Sequence, residues 1–389
     1  VRATLRLGVL GCSAPLLSER VTKLFDAIVT ALPARQLLPA MVEILGTVGQ
    51  AGAPSLAQLL HLLKASLRLR PEAEARAHVA HIFSILLFAL AFRWRATPHD
   101  VGGAGATAIE ALASSALATL AVRLNEDSFS DLYARALSWA CPATTTTAVA
   151  KDDDDADAAT RSARSGSGGA ARALAFFRIF SGAQVTLRSF FSQYFVLALP
   201  HAISLLTPAP APLASAAGKK RKLSASTSVK SAASTEKPLA STEVALCRAI
   251  GRFVEVGFLH SVEVSAAQLR GLEAALLRRL SQPACAPIEE QLLDALAAIV
   301  AAIGEEACKP LHYMLCMATR SDDVVERRAA VRALKRLYST LRDAALMHMP
   351  EAVPFISELL EDGEADVRSE AVGLMRELEA LNGGDSLLE

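Results

Sequence analysis

The sequence predicts an all-α fold: a HEAT/armadillo-like α-solenoid of antiparallel helix pairs with two disordered loops. Three observations lead there. Of the 389 residues 52% are hydrophobic and only 21% charged, enough apolar material to bury a large core. Leu and Ala dominate, while the aromatic residues that favour strands make up 5%, so local preference is for helix along most of the length. Near the end, Arg327, Ala330, Val331, Leu334 and Leu337 recur 41 residues later as Arg368, Ala371, Val372, Met375 and Leu378. That offset lies within the period of about 40–47 residues of HEAT and armadillo repeats, which grow by stacking and need no single core.

The elements follow in order. Leu16 to Leu32, Leu37 to Val48, Ser55 to Leu69 and Ala73 to Trp94 carry helical apolar spacing, separated by Pro33, the Gly52/Pro54 pair and Pro71. Thr107 to Leu124 and Asp127 to Ala140 continue the pattern, giving a first helical-repeat segment over residues 1–142. Residues 143–170, rich in Asp, Ser and Gly, and 207–243, rich in Pro, Ser and Lys, cannot offset the entropy of ordering and are expected as loops. Between them, residues 171–206 hold Phe176, Phe177, Phe180, Phe190, Phe191, Tyr194 and Phe195, an aromatic helical hairpin whose rings are expected in the core. Residues 244–389 are expected as C-terminal HEAT repeats. In the last of these, Pro350 suits an early helix position, Phe355, Ile356, Leu359 and Leu360 form the apolar face, and Gly363 turns the chain into a second helix. There Asp362 precedes Arg368 by six residues, the spacing of an aspartate–arginine ladder between HEAT repeats, whereas the preceding copy has Ser321 at the aspartate's place.

Composition and motif spacing argue against most chemistry. The formal net charge is zero, without the overall basic footprint of a protein that binds nucleic acid chiefly through phosphates. The six cysteines show no CxxC spacing and read as reduced core thiols, and the apolar run from Ile82 to Phe92 is far shorter than the ~20 residues of a membrane span. His78 and His81 lack an HExxH context; Asp153, Asp155 and Asp157 open a calcium-like loop that fails at Ala158 and Arg164; Gly166 to Gly169 lacks the strand and helix that would make it a phosphate cradle. No GxSxG elbow is present. The reading is of no enzyme, no cofactor, no metal and no small-molecule substrate. The chain opens at Val1 rather than methionine, as a fragment of something longer would.

Three charge features remain. Lys219, Lys220, Arg221 and Lys222 cluster inside the second loop, where an import receptor could read them as an extended peptide. Arg328, Arg332, Lys335 and Arg336 share nearly one helix face, a solvated face or a weak RNA contact. From Ala344 to Glu389 there are eleven acids and two bases, so Glu358, Glu361, Asp362 and Glu364 are candidates for docking a basic partner.

The chain resembles a known family in these segments. MPEAVPFISELLEDGEADV, from Met349 to Val367, is similar to the closing repeat of the family of HEAT repeat-containing protein 1, whose yeast member is U-three small nucleolar RNA-associated protein ten. ACKPLHYMLCMATRSDD from Ala307, FSDLYARALSWA from Phe129, RALAFFRIF from Arg172 and the stretch from Phe190 to Pro200 resemble further helices of that family, in order. The similarity covers roughly Asn125 to Glu389 outside the two loops. It implies a nucleolar, non-catalytic scaffold of the small-subunit processome, or 90S pre-ribosome. Its implied partners are processome proteins, the U3 small nucleolar ribonucleoprotein (U3 snoRNP) and precursor rRNA, with no membrane, and its implied roles are pre-rRNA processing, 18S rRNA maturation and polymerase I transcription. Alternative readings of such a solenoid are a nuclear transport receptor or a phosphatase scaffold.

Overall fold

The computed structural model describes residues 15–95, 104–142, 158–207, 241–260 and 263–383, and among them there are helices and no strands. Helices α1 (Pro15–Ala31), α2 (Ala34–Glu43), α3 (Leu45–Ala51) and α4 (Ala53–Leu69) are followed by α5 (Glu72–Ala77), α6 (Val79–Arg95), α7 (Ala104–Ala121) and α8 (Glu126–Ala140). Beyond residue 157 come α9 (Ala158–Leu187), α10 (Ser192–Leu206), α11 (Ser241–Phe258), α12 (Ala266–Leu280), α13 (Glu289–Ala318), α14 (Val324–Leu341), α15 (Met349–Leu360) and α16 (Ala365–Leu381).

Eight of these helices form one layer in which each packs on the next: α1, α4, α7, α9, α11, α13, α14 and α16. The remaining helices cover its back, α6 against α2 and α3, and α12 against α10. The apolar stripes read from the sequence face this junction, and the core runs through both layers from Phe25 to Leu378. Two glycines let helices of the layers meet closely. A Cβ on Gly182 would lie 2.4 Å from Ser114 Oγ, between α9 and α7, and one on Gly257 would lie 2.2 Å from Phe195 Cε2, between α11 and α10.

The aromatic hairpin is core, as its composition predicts, except for Phe190, which is 38% exposed in the turn between α9 and α10. Phe129, Tyr133, Phe176, Phe177, Phe180, Phe191, Tyr194, Phe195 and Phe253 are buried, and the Tyr133 hydroxyl donates to the Tyr194 carbonyl at 2.7 Å. The stretch Gly169–Leu206 is long and apolar enough by composition to cross a membrane. It turns at Arg188, whose φ is +49°, and its rings pack on α8 and α11.

Several expectations are corrected. The loop expected over residues 143–170 ends earlier, because α9 begins at Ala158. Residues 158–171 include five alanines and no proline, so a helix anchored by the buried rings extends towards its N-terminus in spite of Gly166, Gly168 and Gly169. The helix expected from Ala73 to Trp94 breaks at His78, whose φ of −118° and ψ of 20° separate α5 from α6. In α15, Ile356 and Leu359 are buried, but Phe355 and Leu360 are only partly covered. Val331 is buried while its repeat counterpart Val372 is exposed. The cause is position: α14 is flanked by both α13 and α16. Residues 143–157 and the cluster Lys219, Lys220, Arg221 and Lys222 lie outside the described residues.

Candidate functional site

Charged side chains bind the layer together before they offer anything to a partner. Helix C-termini leave carbonyls without intrahelical donors, and arginines from farther along the chain supply them. Arg70 donates to the carbonyls of Val29 and Leu32 at the end of α1, and Arg123 to those of Arg68 and Arg70 at the end of α4. Arg279 reaches the carbonyls of Leu205 and Leu206, closing α10. Ion pairs then join neighbours in the layer: Arg68 to Asp26, Arg178 to Glu110, and the α14 arginines to α13.

The basic face of α14 is largely occupied. Arg332 pairs with Glu289 and with Glu290, the latter at 2.7 Å, and lies 3.8 Å from Glu370 of α16. Arg336 pairs with Asp294 and lies 3.5 Å from Glu290. These residues and Lys335 line a cleft of about 350 Å³ between α13, α14 and α16 whose charges largely cancel. Arg328 and Lys335 are half-buried and have no ion pair among the described residues. As an RNA-contact set the face is therefore reduced to those two, because Arg332 and Arg336 serve as cross-helix ties.

The acidic candidates divide the same way. Asp362 Oδ2 and Oδ1 accept from Arg327 Nε and Nη2 at 2.8 and 3.0 Å, with side chains 9% and 16% exposed respectively. The hydrogen bonds from Arg327 hold the Asp362 carboxyl below the usual carboxylate range. Asp362 Oδ1 also accepts from the Glu364 backbone N–H, so it builds the turn into α16 and does not face a partner. Arg368 donates to the Asp362 backbone carbonyl, and in the preceding copy Arg327 donates to the carbonyls of Ser321 and Asp322. The ladder expected from the sequence thus runs from Arg327 of one repeat to Asp362 of the next, and Ser321 stands in for the aspartate with its carbonyl, which accepts from Arg327, and its Oγ, which accepts from the Asp323 backbone N–H. Glu358 is exposed, but it receives Arg320 at 2.8 and 2.5 Å and titrates below the ordinary range for that reason. Glu361 and Glu364 are exposed.

Sequence reasoning missed three groups. Arg320 lies with its guanidinium carbon 4.3 Å from the Phe355 ring centroid while it bonds Glu358. Tyr313 and Met317, at 61% and 44% exposure, share one side of the last turns of α13, and Arg320 follows in the turn beyond it. Their signal was their phase: Leu311 and Leu315 are buried, and residues 313, 317 and 320 fall on the other side of the turn. Beneath them His312 is buried, with Nε2 2.9 Å from the Tyr338 hydroxyl and Nδ1 3.9 Å from Glu351 Oε2. Among the described residues no group of three or more His, Cys, Asp or Glu side chains is placed to hold a metal.

Comparison with known proteins agrees with this architecture. Residues 74–265 match the BP28CT (NUC211) domain, which extends upstream of the segment whose motifs carry the family resemblance. An uncharacterized protein of Arabidopsis thaliana is 23% identical over 376 residues, covering 92% of this chain and 16% of that protein. HEAT repeat-containing protein 1 of Macaca fascicularis is 28% identical over 97 residues, and its Homo sapiens counterpart 27%. Those matches cover 25% of this chain and 10% and 4% of the relatives, so the chain spans a small part of the proteins it matches. Among solved structures, the karyopherin Kap121p bound to the extreme C-terminus of the protein phosphatase Cdc14p superposes with a TM-score of 0.56 at 14% identity, covering 98% of this chain and 33% of that one. The same karyopherin bound to the SUMO protease Ulp1p gives 0.55 at 14% identity, covering 97% and 32%. At that identity the likeness shows the fold alone. These matches indicate no enzymatic family. The chain is an all-α HEAT-type solenoid whose residues 74–265 match the BP28CT (NUC211) domain and which is similar over a quarter of its length to HEAT repeat-containing protein 1.

Proposed function

We propose that this chain is a non-catalytic scaffold of ribosome biogenesis, acting in the nucleolus within the small-subunit processome, alongside the U3 snoRNP and precursor rRNA. The observation that carries the reading is the BP28CT match over residues 74–265 on a helical layer tied internally by arginines. A layer whose helices are tied to one another by charged side chains suits a rigid platform for other proteins. In this reading the exposed carboxylates of Glu361 and Glu364 receive a basic protein, and Arg328 and Lys335 are the cations left for RNA. Lys219, Lys220, Arg221 and Lys222 supply a nuclear-import signal.

Gradient sedimentation of the tagged parent protein tests the proposal. Co-migration with early precursor particles, and accumulation of unprocessed 18S precursor on depletion, are the expected results. Migration away from those particles, with basic cargo released by a small GTPase, would favour a transport receptor instead. Alanine at all four of positions 219–222 should reduce nuclear accumulation of the fragment without altering its helicity.

A further inference from the structure

The second half of α13 and the outer side of α15 form a seam whose make-up is unlike the rest of the C-terminal surface. Gly304, with φ of +75°, kinks α13 and starts this second half, residues 305–318. Tyr313 and Met317 project from it with most or nearly half of their surface exposed, and Phe355 of α15 is partly covered. The rim is acidic. Glu351, 72% exposed, stands 3.9 Å from His312, which precedes Tyr313 in the chain, so it borders the same seam. Glu358 follows on α15, and Glu361 stands just past its end.

The seam already shows which chemistry it accepts. Arg320 lies over the Phe355 ring at 4.3 Å and closes two hydrogen bonds on Glu358. An aromatic face beside a carboxylate holds a guanidinium by ring and ion-pair attraction together. Glu351 and Glu361 make no such pair with an arginine or lysine among the described residues, and Tyr313 and Met317 leave apolar surface exposed on the facing helix. Exposed aromatic and methionine side chains bordered on one edge by carboxylates suit the apolar stripe of an amphipathic helix with a basic edge.

We infer that the Tyr313–Met317–Phe355 seam docks a helical segment of another protein, one with an apolar stripe bordered by lysine or arginine. The carboxylates at positions 351 and 361 meet its basic border, and the apolar stripe covers Tyr313 and Met317. Two features favour a basic protein helix over RNA. The α15 border repels phosphate, and of the two cations beside Tyr313 and Met317, Arg320 is closed on Glu358 and Lys309 also has a partner. The inference rests on the scaffold reading but is tested apart from it.

The test replaces Tyr313 by p-benzoylphenylalanine in the full-length parent protein and irradiates living cells, with Leu259, exposed on another part of the solenoid, as the control position. Mass spectrometry identifies the cross-linked peptide. The expected peptide has apolar residues at helical spacing flanked by at least two lysines or arginines. Its yield should fall about tenfold in the Glu351→Lys/Glu361→Lys variant, as steering by opposite charge requires. Cross-links to RNA, to a peptide without that basic border, or yields indifferent to charge reversal overturn the inference, as does the absence of a Tyr313-specific product. Sedimentation of the same cells separates the two readings. Particle association without the expected cross-link removes only the seam, whereas the cross-link without particle association removes the processome role and leaves the seam.

Discussion

Arg327 on α14 closes a two-pronged ion pair on Asp362, 35 residues later, and thereby fixes the turn into α16 against the repeat before it. Arg327 also donates to the carbonyls of Ser321 and Asp322, so one guanidinium serves its own repeat and the next. Arg327→Ala is expected to lower stability by about 1–2 kcal/mol, allowing for partial solvent screening. Asp362→Ala should cost a similar amount, and the double variant clearly less than the sum of the two. Denaturant unfolding of the four proteins checks this. Additive losses would show that the pair contributes no coupling.

Glu273 is buried in α12, and its Oε1 has no hydrogen-bond partner. Burial pushes its carboxyl up to about 7, against a weaker opposing pull from Arg270. The folded chain therefore holds a proton that the unfolded chain releases from about pH 4.5, and stability falls as pH rises from there to 7. Glu273→Gln should be more stable than the parent by roughly 2–3 kcal/mol at pH 8 and nearly equal to it at pH 4. Thermal unfolding across that range reads the difference, and parallel pH profiles would contradict it.

His312 has the opposite slope. Burial, with the neighbouring His348, lowers its pKa to about 4, while Glu351 opposes. Tyr338, Cys316, His348 and Glu351 are the titratable groups facing it. The unfolded chain takes up a proton near 6.5 that the folded chain refuses, so the contribution of His312 is complete above 6.5 and declines as pH falls towards 4. At pH 5 the loss is about 2 kcal/mol. His312→Gln should flatten this part of the stability profile, and an unchanged slope between pH 6.5 and 4 would assign it to other groups.

Arg342 joins α14 to the segment that leads into α15 with φ of 50° and ψ of −123°, a conformation that suits glycine and strains an L side chain. Arg342→Gly should raise the unfolding free energy by about 1 kcal/mol. No gain, or a loss, in chemical denaturation would mean that the arginine side chain offsets the strain.

Ile356 is fully buried and Phe355 is not, so Ile356→Ala should cost about 2–5 kcal/mol and Phe355→Ala clearly less. Melting curves of the two variants in parallel measure the order. A larger loss at position 355 would place its ring in the core after all.

The sequence by itself determined the helical class, the punctuation by Pro33, Gly52, Pro71 and Gly363, and the 41-residue recurrence, because these depend on local propensity and on a period that adjacent residues carry. It also placed the aromatic residues of α9 and α10 in the core, since no exposed helix carries that density of rings. Which charges are free was decided by tertiary structure alone. Arg332 and Arg336 look solvent-facing in their own helix, but Glu289, Glu290 and Asp294 lie 42 to 46 residues away in sequence and beside them in space. Asp362 reads as part of an acidic surface until Arg327 covers it. An amphipathic pattern reports which side of a helix is apolar; it carries no record of what the next helix sets against the polar side. In a stacked fold that partner comes from the neighbouring repeat.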